Sequence, residues 1–285
     1  MISRNLLTRI AFAVPAIAVT LAVVREGGWV LAALLGVIGV LGTRELYAFA
    51  REQGITPVAG LGYVGAGAIP CATVWGLNAG RSSVGLYGGG LWLLLVLVAA
   101  VATRSPGGRP LAAVAVTVFG CLYASALPSF VLSIRHGPGS AAHPEAATAL
   151  VCLPLAATWI CDTCAMAAGA IFGGPKLSPV LSPRKTWAGA VGGVLGALAT
   201  SLAYGPLVLE RWAVHLGLGE LASVGLTVGV AAQLGDAAES LFKREVGVKD
   251  SSALIPGHGG VLDRLDSLYF VLPASASLFR LFGVA

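Results

Sequence analysis

Charged residues are scarce in this sequence. Of its 285 residues only 11% are charged while 56% are hydrophobic, and the mean hydropathy is +0.85. A soluble globular domain carries about 25% charged residues. So low a charged fraction excludes a disordered chain, a nucleic-acid-binding module and an ordinary soluble enzyme. We therefore interpret the net charge of +5 as a signal for membrane orientation, not for a nucleic-acid partner.

Several catalytic signatures are also missing from the sequence. It contains no Gly-x-Ser-x-Gly elbow and no His-Glu-x-x-His motif, which disfavours a serine hydrolase and a zinc peptidase. Cys161 and Cys164 have C-x-x-C spacing, but no second pair exists to complete a zinc site. We interpret the five cysteines as small, buried packing residues.

Long apolar stretches account for most of the chain. A transmembrane helix needs about 20 predominantly apolar residues. The stretches that approach this requirement are centred on residues 10–24, 29–47, 58–76, 91–103, 111–132, 146–172, 187–208, 213–235 and 261–283. They predict an all-α fold, a polytopic integral membrane bundle of about nine transmembrane helices. Within it, the G-x-x-x-G spacing of Gly192 and Gly196 predicts close contact between helices.

The distribution of basic residues predicts the orientation of the bundle. Cytoplasmic loops of membrane proteins are enriched in Lys and Arg. With a cytoplasmic N-terminus, 13 of the 18 basic residues fall on the cytoplasmic side and 5 on the far side. We therefore predict a multi-pass protein of the cell (inner or plasma) membrane with its N-terminus inside. A cleaved signal peptide is the alternative for the first stretch, but the further spans favour a retained helix.

Acidic residues are concentrated near the end of the chain. Six of the 13 fall between residues 236 and 266. Such a run is often a solvated loop, but ionisable groups at membrane depth usually mark a pathway or a site. If the eighth span continues as a helix, Asp236, Ser240 and Lys243 share one face, as do Asp263 and Asp266 at i and i+3. By contrast, Glu45 follows Arg44 directly, and we expect those two to form an ion pair at a helix end.

A basic, glycine-rich connector lies between these acids. In residues 249–260, three glycines surround His258, so that backbone N–H groups can approach a phosphate closely. Carboxylates from two helix ends with such a connector are the groups that Mg²⁺-dependent nucleotide chemistry requires. A second polar segment covers residues 162–187 and includes Arg184 and Lys185. Taken alone, its alternative interpretation is a basic membrane anchor with an interfacial tryptophan, Trp187.

Together these segments resemble a known signature. Ser240-Leu241-Phe242-Lys243-Arg244, Lys249-Asp250, Pro256-Gly257-His258-Gly259-Gly260 and Asp263-Arg264-Leu265-Asp266 resemble the motif of the phosphatidate cytidylyltransferase (CDP-diacylglycerol synthase) family. The upstream segment is similar to the same family at Trp159, Asp162-Thr163, Gly169, Gly173, Lys176-Leu177, Ser182-Pro183 and Lys185-Thr186-Trp187. The resemblance is strong over residues 159–272. Two positions depart from it: Arg184 replaces a lysine, and Ala188 replaces a glutamate.

The resemblance implies an enzyme of phospholipid biosynthesis, a nucleotidyltransferase that converts CTP and phosphatidic acid into CDP-diacylglycerol and pyrophosphate. It implies an N-terminal membrane region at 1–135, of about five helices. A catalytic membrane region at 146–285 would have about four helices and cytoplasmic loops that carry the active site. Its partners would be CTP, phosphatidic acid and membrane lipids, with no nucleic acid; a homodimer and a second cation beside Mg²⁺ stay open.

The resemblance also assigns roles to individual residues. The expected catalytic residues are Lys243, Arg244, Lys249, Asp250 and His258. The expected substrate-binding residues are Ser240, Lys176, Ser182, Arg184, Lys185, Thr186, Gly257, Gly259, Gly260 and Arg264. The expected ligands of Mg²⁺ are Asp236, Asp263 and Asp266.

Two other function classes stay open on the sequence alone. A cation- or proton-coupled transporter would explain acids near membrane depth, but it leaves the glycine-rich connector and its basic neighbours unexplained. Another CTP-dependent lipid enzyme, such as a polyprenol kinase, would use similar phosphate-binding groups.

Overall fold

The computed structural model of the chain describes residues 18–81, 83–137, 143–255 and 259–284. These residues are mostly helical, which confirms the all-α class. Within them, seven helices are long and apolar enough to cross a membrane, and they coincide with the seven central predicted spans. The protein is thus a multi-pass membrane protein by the length and composition of its helices.

The remaining two predicted spans are not represented by such helices. The first, 10–24, lies partly outside the described residues. The last, 261–283, is interrupted after a four-residue helix and continues as a helix of 14 residues, which is shorter than the roughly 20 residues that a span needs. A total of nine spans therefore stays a prediction.

The elements follow one another with short connections. In chain order they are α1 Gly28–Glu52, α2 Ala59–Asn78, α3 Val84–Thr103, α4 Pro110–Cys121, a π-helical turn Leu122–Ala126, α5 Leu127–Arg135, α6 Pro144–Phe172, β1 Lys176–Ser178, β2 Ser182–Thr186, α7 Trp187–Leu207, α8 Leu218–Glu245, α9 Leu262–Leu265 and α10 Leu268–Leu281. They form two compact units. The first contains residues up to Leu132 together with Glu245–Arg264, and the second contains Ser133–Arg244 with Leu265–Ala285.

The first unit is organised around the side chain of Tyr47 on α1. Tyr47 is fully buried, and its hydroxyl donates a hydrogen bond to the Thr117 carbonyl at 2.8 Å. Gly62 on α2 and Gly120 on α4 leave the space that the tyrosine ring fills. Small residues thus let three helices approach closely, as is usual for helices in a membrane.

The second unit packs α6, α7 and α8 in the same manner. A Cβ added at Gly196 would lie 2.7 Å from the Cys164 sulfur, and one at Gly192 would lie 3.3 Å from the Cys164 carbonyl oxygen. The predicted close contact at Gly192 and Gly196 is therefore confirmed. On the opposite side of α7, a Cβ at Gly225 of α8 would lie 2.7 Å from Leu198 Cα.

A small antiparallel hairpin, which the sequence did not predict, joins α6 to α7. The chain leaves α6 through Gly173 and Gly174, whose φ values of +58° and +92° favour glycine. Strands β1 and β2 then pair with Lys176 opposite Thr186. The Thr186 hydroxyl accepts a hydrogen bond from the Gly189 N–H at 3.1 Å and so caps α7.

Candidate active site

An ion pair in the second unit joins the two polar segments of the sequence. The Lys185 ammonium on β2 donates a hydrogen bond to the Asp236 carboxylate on α8. One turn further along α8, the Ser240 hydroxyl donates to the other Asp236 oxygen at 3.3 Å. The eighth predicted span does continue as a helix, to Glu245, so that Asp236, Ser240 and Lys243 share a face as predicted.

This ion pair lies at a cavity of about 460 Å³ within the second unit. The polar residues that line the cavity include Asp162 of α6, Arg184, Lys185 and Thr186 of the hairpin, and Gln233 and Asp236 of α8. The remaining lining is largely apolar and comes from α6, α7 and Leu177 of β1. Cations, carboxylates and an apolar wall therefore meet in one cavity, which suits a ligand with a charged head and an apolar body.

Asp266 belongs to the same cluster of carboxylates. It lies between α9 and α10, outside the seven candidate spans, and its backbone packs tightly against Gly235 of α8. Burial, and then the neighbouring Asp236 carboxylate, raise the pKa of Asp266 to about 6. Lys243 lies near this cluster, with its ammonium 3.0 Å from the buried carboxylate of Glu239.

The glycine-rich connector belongs to the first unit, and we refer to residues 249–264 as the signature loop. Asp263 Oδ2 accepts hydrogen bonds from the Ser251 N–H at 2.7 Å, the Ser251 hydroxyl at 2.9 Å and the Gly260 N–H at 2.8 Å. Gly259 has a φ of +78°, and its carbonyl accepts a hydrogen bond from the Ile255 N–H at 2.8 Å. Asp263 thus links Ser251, near the beginning of the signature loop, to Gly260, near its end.

A second carboxylate binds the signature loop. It belongs to Glu45 on α1, which is not part of the loop. It accepts hydrogen bonds from the Ser251 and Ser252 hydroxyls at 2.8 and 2.7 Å, and from the Val261 and Leu262 N–H groups at 3.0 and 2.9 Å. The predicted ion pair of Glu45 with Arg44 is wrong: no such pair occurs among the described residues. Consecutive residues of a helix point in different directions, which accounts for the difference.

The other predicted site residues are exposed or lie elsewhere along these elements. Lys176 and Ser182 are on the hairpin, Arg244 is on the last turn of α8, and Lys249, Asp250 and Arg264 are exposed residues of the signature loop. Gly257 and His258 lie outside the described residues. The structure adds Asp162, Gln233, Glu239 and Glu45, of which Asp162 and Glu239 stood in segments that the sequence had marked as polar or acidic.

The donor atoms of the second unit suit a hard cation. Among the described residues, no three His, Cys, Asp or Glu side chains lie close enough together to enclose a metal ion. Mg²⁺ does not require such an enclosure, because it is usually bound through one or two carboxylates, waters and substrate phosphates. The Asp236 carboxylate, with the Ser240 hydroxyl beside it, fits that requirement. Binding of Mg²⁺ by Asp236, Asp263 and Asp266 stays a prediction.

The fold and the site together define a multi-pass membrane protein with a charged cavity built from three helices and a hairpin. The chain belongs to the cytidylyltransferase family, whose model matches residues 7–282. It is 31% identical to the phosphatidate cytidylyltransferase of Synechocystis over an alignment that covers 93% of each chain. It is 40% identical to that of Brucella suis over 164 residues, covering 57% of this chain and 55% of the relative. Over 116 residues it is 45% identical to that of Staphylococcus epidermidis, covering 40% and 43% respectively.

Proposed function

We propose that the protein transfers the cytidylyl group of CTP to phosphatidic acid, which gives CDP-diacylglycerol and pyrophosphate. The observation that carries the proposal is the match of 93% of the chain to a phosphatidate cytidylyltransferase. The cavity beside Lys185 and Asp236 supports it, because cations and carboxylates meet there against an apolar wall. Transport of cations gains no support from the family to which the chain belongs.

The reaction needs positioning more than it needs a base. A phosphate oxygen of phosphatidic acid attacks the α-phosphorus of CTP and a new P–O bond forms. The bond from that phosphorus to the oxygen that bridges the α- and β-phosphates breaks, and pyrophosphate leaves with that oxygen. The nucleophile is already an anion, so no strong general base has to remove a proton. The main obstacle is repulsion between two polyanions, which fixed cations and hydrogen-bond donors reduce.

The basic residues of the two polar segments supply the required positive charge. We assign phosphate binding to Arg184 and Lys185 at the cavity and to Lys243, Arg244 and Lys249 at the end of α8 and in the signature loop. The backbone at Gly259 and Gly260 would lie against the pyrophosphate end of CTP, since glycines have no side chain and allow close approach. When bound, Mg²⁺ would neutralise phosphate charge, and Asp236 with Asp266 would hold it in the second unit.

The proposed location of the site follows from its substrates. CTP is a cytoplasmic metabolite, and the acyl chains of phosphatidic acid would stay in the bilayer between helices. We therefore place the active site on the cytoplasmic side of the cell membrane, in a chain of about nine spans with its N-terminus inside. The positive-inside distribution of basic residues supports this orientation. A homodimer stays a prediction.

The deciding experiment follows pyrophosphate release by purified protein supplied with CTP, phosphatidic acid and Mg²⁺ in mixed micelles. We expect release that depends strictly on phosphatidic acid and ceases when EDTA removes the metal. A polyprenol in place of phosphatidic acid serves as the control for a lipid kinase, which would form CDP instead of pyrophosphate. CDP formation, or pyrophosphate release without phosphatidic acid, would contradict the proposed function.

A further inference from the structure

The hydrogen bonds of Glu45 connect it with a part of the chain that is remote in sequence. The side chain is only 5% exposed, and its donors are Ser251, Ser252, Val261 and Leu262, more than 200 residues further on. These donors stand on both sides of residues 256–258. Glu45 therefore binds the beginning and the end of the glycine-rich part of the signature loop at once.

The signature loop packs closely against the Glu45 carboxylate. A Cβ at Gly260 would collide with the Ser251 hydroxyl and with both carboxylate oxygens of Glu45. Ser251 also lies between two acids, because its hydroxyl is 2.8 Å from Glu45 and 2.9 Å from Asp263. A hydroxyl has one proton to donate, so it can serve only one of the two carboxylates at a time. The two acids are thus joined through one residue of the loop.

A buried carboxylate is costly unless hydrogen bonds replace its hydration. Here the compensation comes from backbone N–H and hydroxyl groups of one loop, and hydrogen bonds to a charged acceptor are stronger and more directional than neutral ones. Such an arrangement fixes backbone orientation more tightly than apolar packing would. The N–H groups of Val261 and Leu262 are aimed at Glu45 directly after the two glycines that we assign to CTP binding.

We propose that Glu45 is a positioning residue for cytidylyl transfer: by holding Ser251 and Ser252 together with Val261 and Leu262, it fixes the adjoining backbone at Gly259 and Gly260, which we assign to the triphosphate of CTP. This inference rests on the proposed function. It assigns a role in nucleotide binding to a residue of α1, which the family resemblance of the C-terminal half does not include.

The kinetic test uses Glu45→Gln, which keeps the size of the side chain but replaces one acceptor oxygen by an NH₂ donor. We expect kcat/KM for CTP to fall about 10–100-fold, the usual loss when a residue that orients binding groups is removed. The KM for phosphatidic acid should stay unchanged. Glu45→Asp, which retains the charge on a shorter side chain, should recover part of the loss. The matched control is Glu52→Gln, an exposed glutamate at the end of the same helix.

A second readout does not depend on the reaction. Hydrogen exchange measured by mass spectrometry on the full chain in detergent should show faster exchange in the peptide covering 249–264 for Glu45→Gln. Peptides from α7 should exchange as in the unchanged protein, because a local release of the loop does not unfold the second unit. Should Glu45→Gln unfold the whole chain, Ser252→Ala removes a single donor and is expected to produce a weaker version of the same pattern.

Each outcome has a definite meaning. Faster loop exchange together with a selective loss of kcat/KM for CTP supports the proposal. Unchanged loop exchange overturns it, and so does faster exchange with unchanged kinetics, or an equal loss of affinity for both substrates. If the unchanged protein transfers no cytidylyl group, the proposed function fails, and the positioning role fails with it even where the exchange measurement shows that Glu45 anchors the loop.

Discussion

Lys185 is the residue through which the hairpin reaches the acids of α8. Its ammonium contacts the Asp236 carboxylate, and both side chains are about one-third exposed, at 33% and 32%, so they remain accessible to a ligand. At position 188, where the resemblance leads us to expect a glutamate, this chain has Ala188. A glutamate whose only role were to orient Lys185 could be dispensed with here, because Asp236 makes that contact.

We therefore expect Lys185→Ala to lower the rate of pyrophosphate release at least ~10-fold, the scale of one lost charge-assisted contact of about 1.5–3 kcal/mol. Arg280→Ala, an exposed basic residue at the end of α10, is the matched control and should leave the rate unchanged. An unchanged rate for Lys185→Ala would indicate that the hairpin serves only as a membrane anchor.

Asp236 is the carboxylate on which the predicted metal site depends. Asp236→Asn keeps the size of the side chain and an acceptor for the Ser240 hydroxyl, but it removes the negative charge. We expect the variant to insert into the membrane normally and to elute normally in size-exclusion chromatography. Its turnover should be almost completely lost, with at best partial recovery at high Mg²⁺. Glu210→Gln, in the exposed turn after α7, controls for the loss of an acid. Near-normal turnover at ordinary Mg²⁺ concentrations would show that Asp236 is no metal ligand.

At the residue scale, sequence reasoning worked where partners are close in sequence and failed where they are distant. Helical periodicity was enough to place Asp236 and Ser240 on one face, and they are hydrogen-bonded. Glu45 was predicted to form an ion pair with its neighbour Arg44. Its hydrogen-bond donors are instead Ser251 and residues that follow it in the sequence. The only local signal was an acid within an otherwise apolar helix, and such a signal does not identify a partner that folding brings in from 206 residues away.

At the scale of helices and strands, small residues determine how α7 packs. The G-x-x-x-G spacing at Gly192 and Gly196 predicted one contact surface correctly. The other surface, formed by Gly225 and Gly229 of α8, has the same spacing and was overlooked. The hairpin was missed for a different reason: its strands have three and five residues, too short for an alternating apolar pattern to appear.

This packing makes a prediction about stability. In Gly225→Ala, the new methyl group would meet Leu198 Cα and the Ser201 side chain, at 2.7 and 3.0 Å, so α7 and α8 must separate. We expect a loss of about 1–3 kcal/mol, the usual cost of overpacking, seen as a lower thermal unfolding midpoint in detergent. The control is Gly219→Ala, in the same helix with nothing within 4 Å, and it should not be destabilised. Equal midpoints for the two variants would contradict the close packing of α7 against α8.

At the scale of the whole molecule, hydropathy alone was sufficient to predict the seven central spans. A span is recognised from about 20 consecutive residues of similar character, so its prediction requires no knowledge of distant contacts. Orientation is a separate property, since a bundle of the same helices could be inserted either way. It depends on the distribution of charges in the connecting segments, and the predicted topology assigns 13 of the 18 basic residues to one side.

Single cysteines at Lys185, Lys249 and Arg211 test this orientation. The candidate spans Trp187–Trp212 and Leu218–Glu245 separate Lys185 from Lys249, so both positions should face the cytoplasm. Arg211, at the far end of the first of these spans, should face outward. The five native cysteines all fall within candidate spans, so the unchanged chain provides the background. In right-side-out vesicles, we expect a membrane-impermeant maleimide to label the cysteine at 211 at once, and those at 185 and 249 only after permeabilisation. Labelling of position 185 or 249 from outside would indicate the opposite orientation. The proposed active site would then lie on the side of the membrane that CTP does not reach.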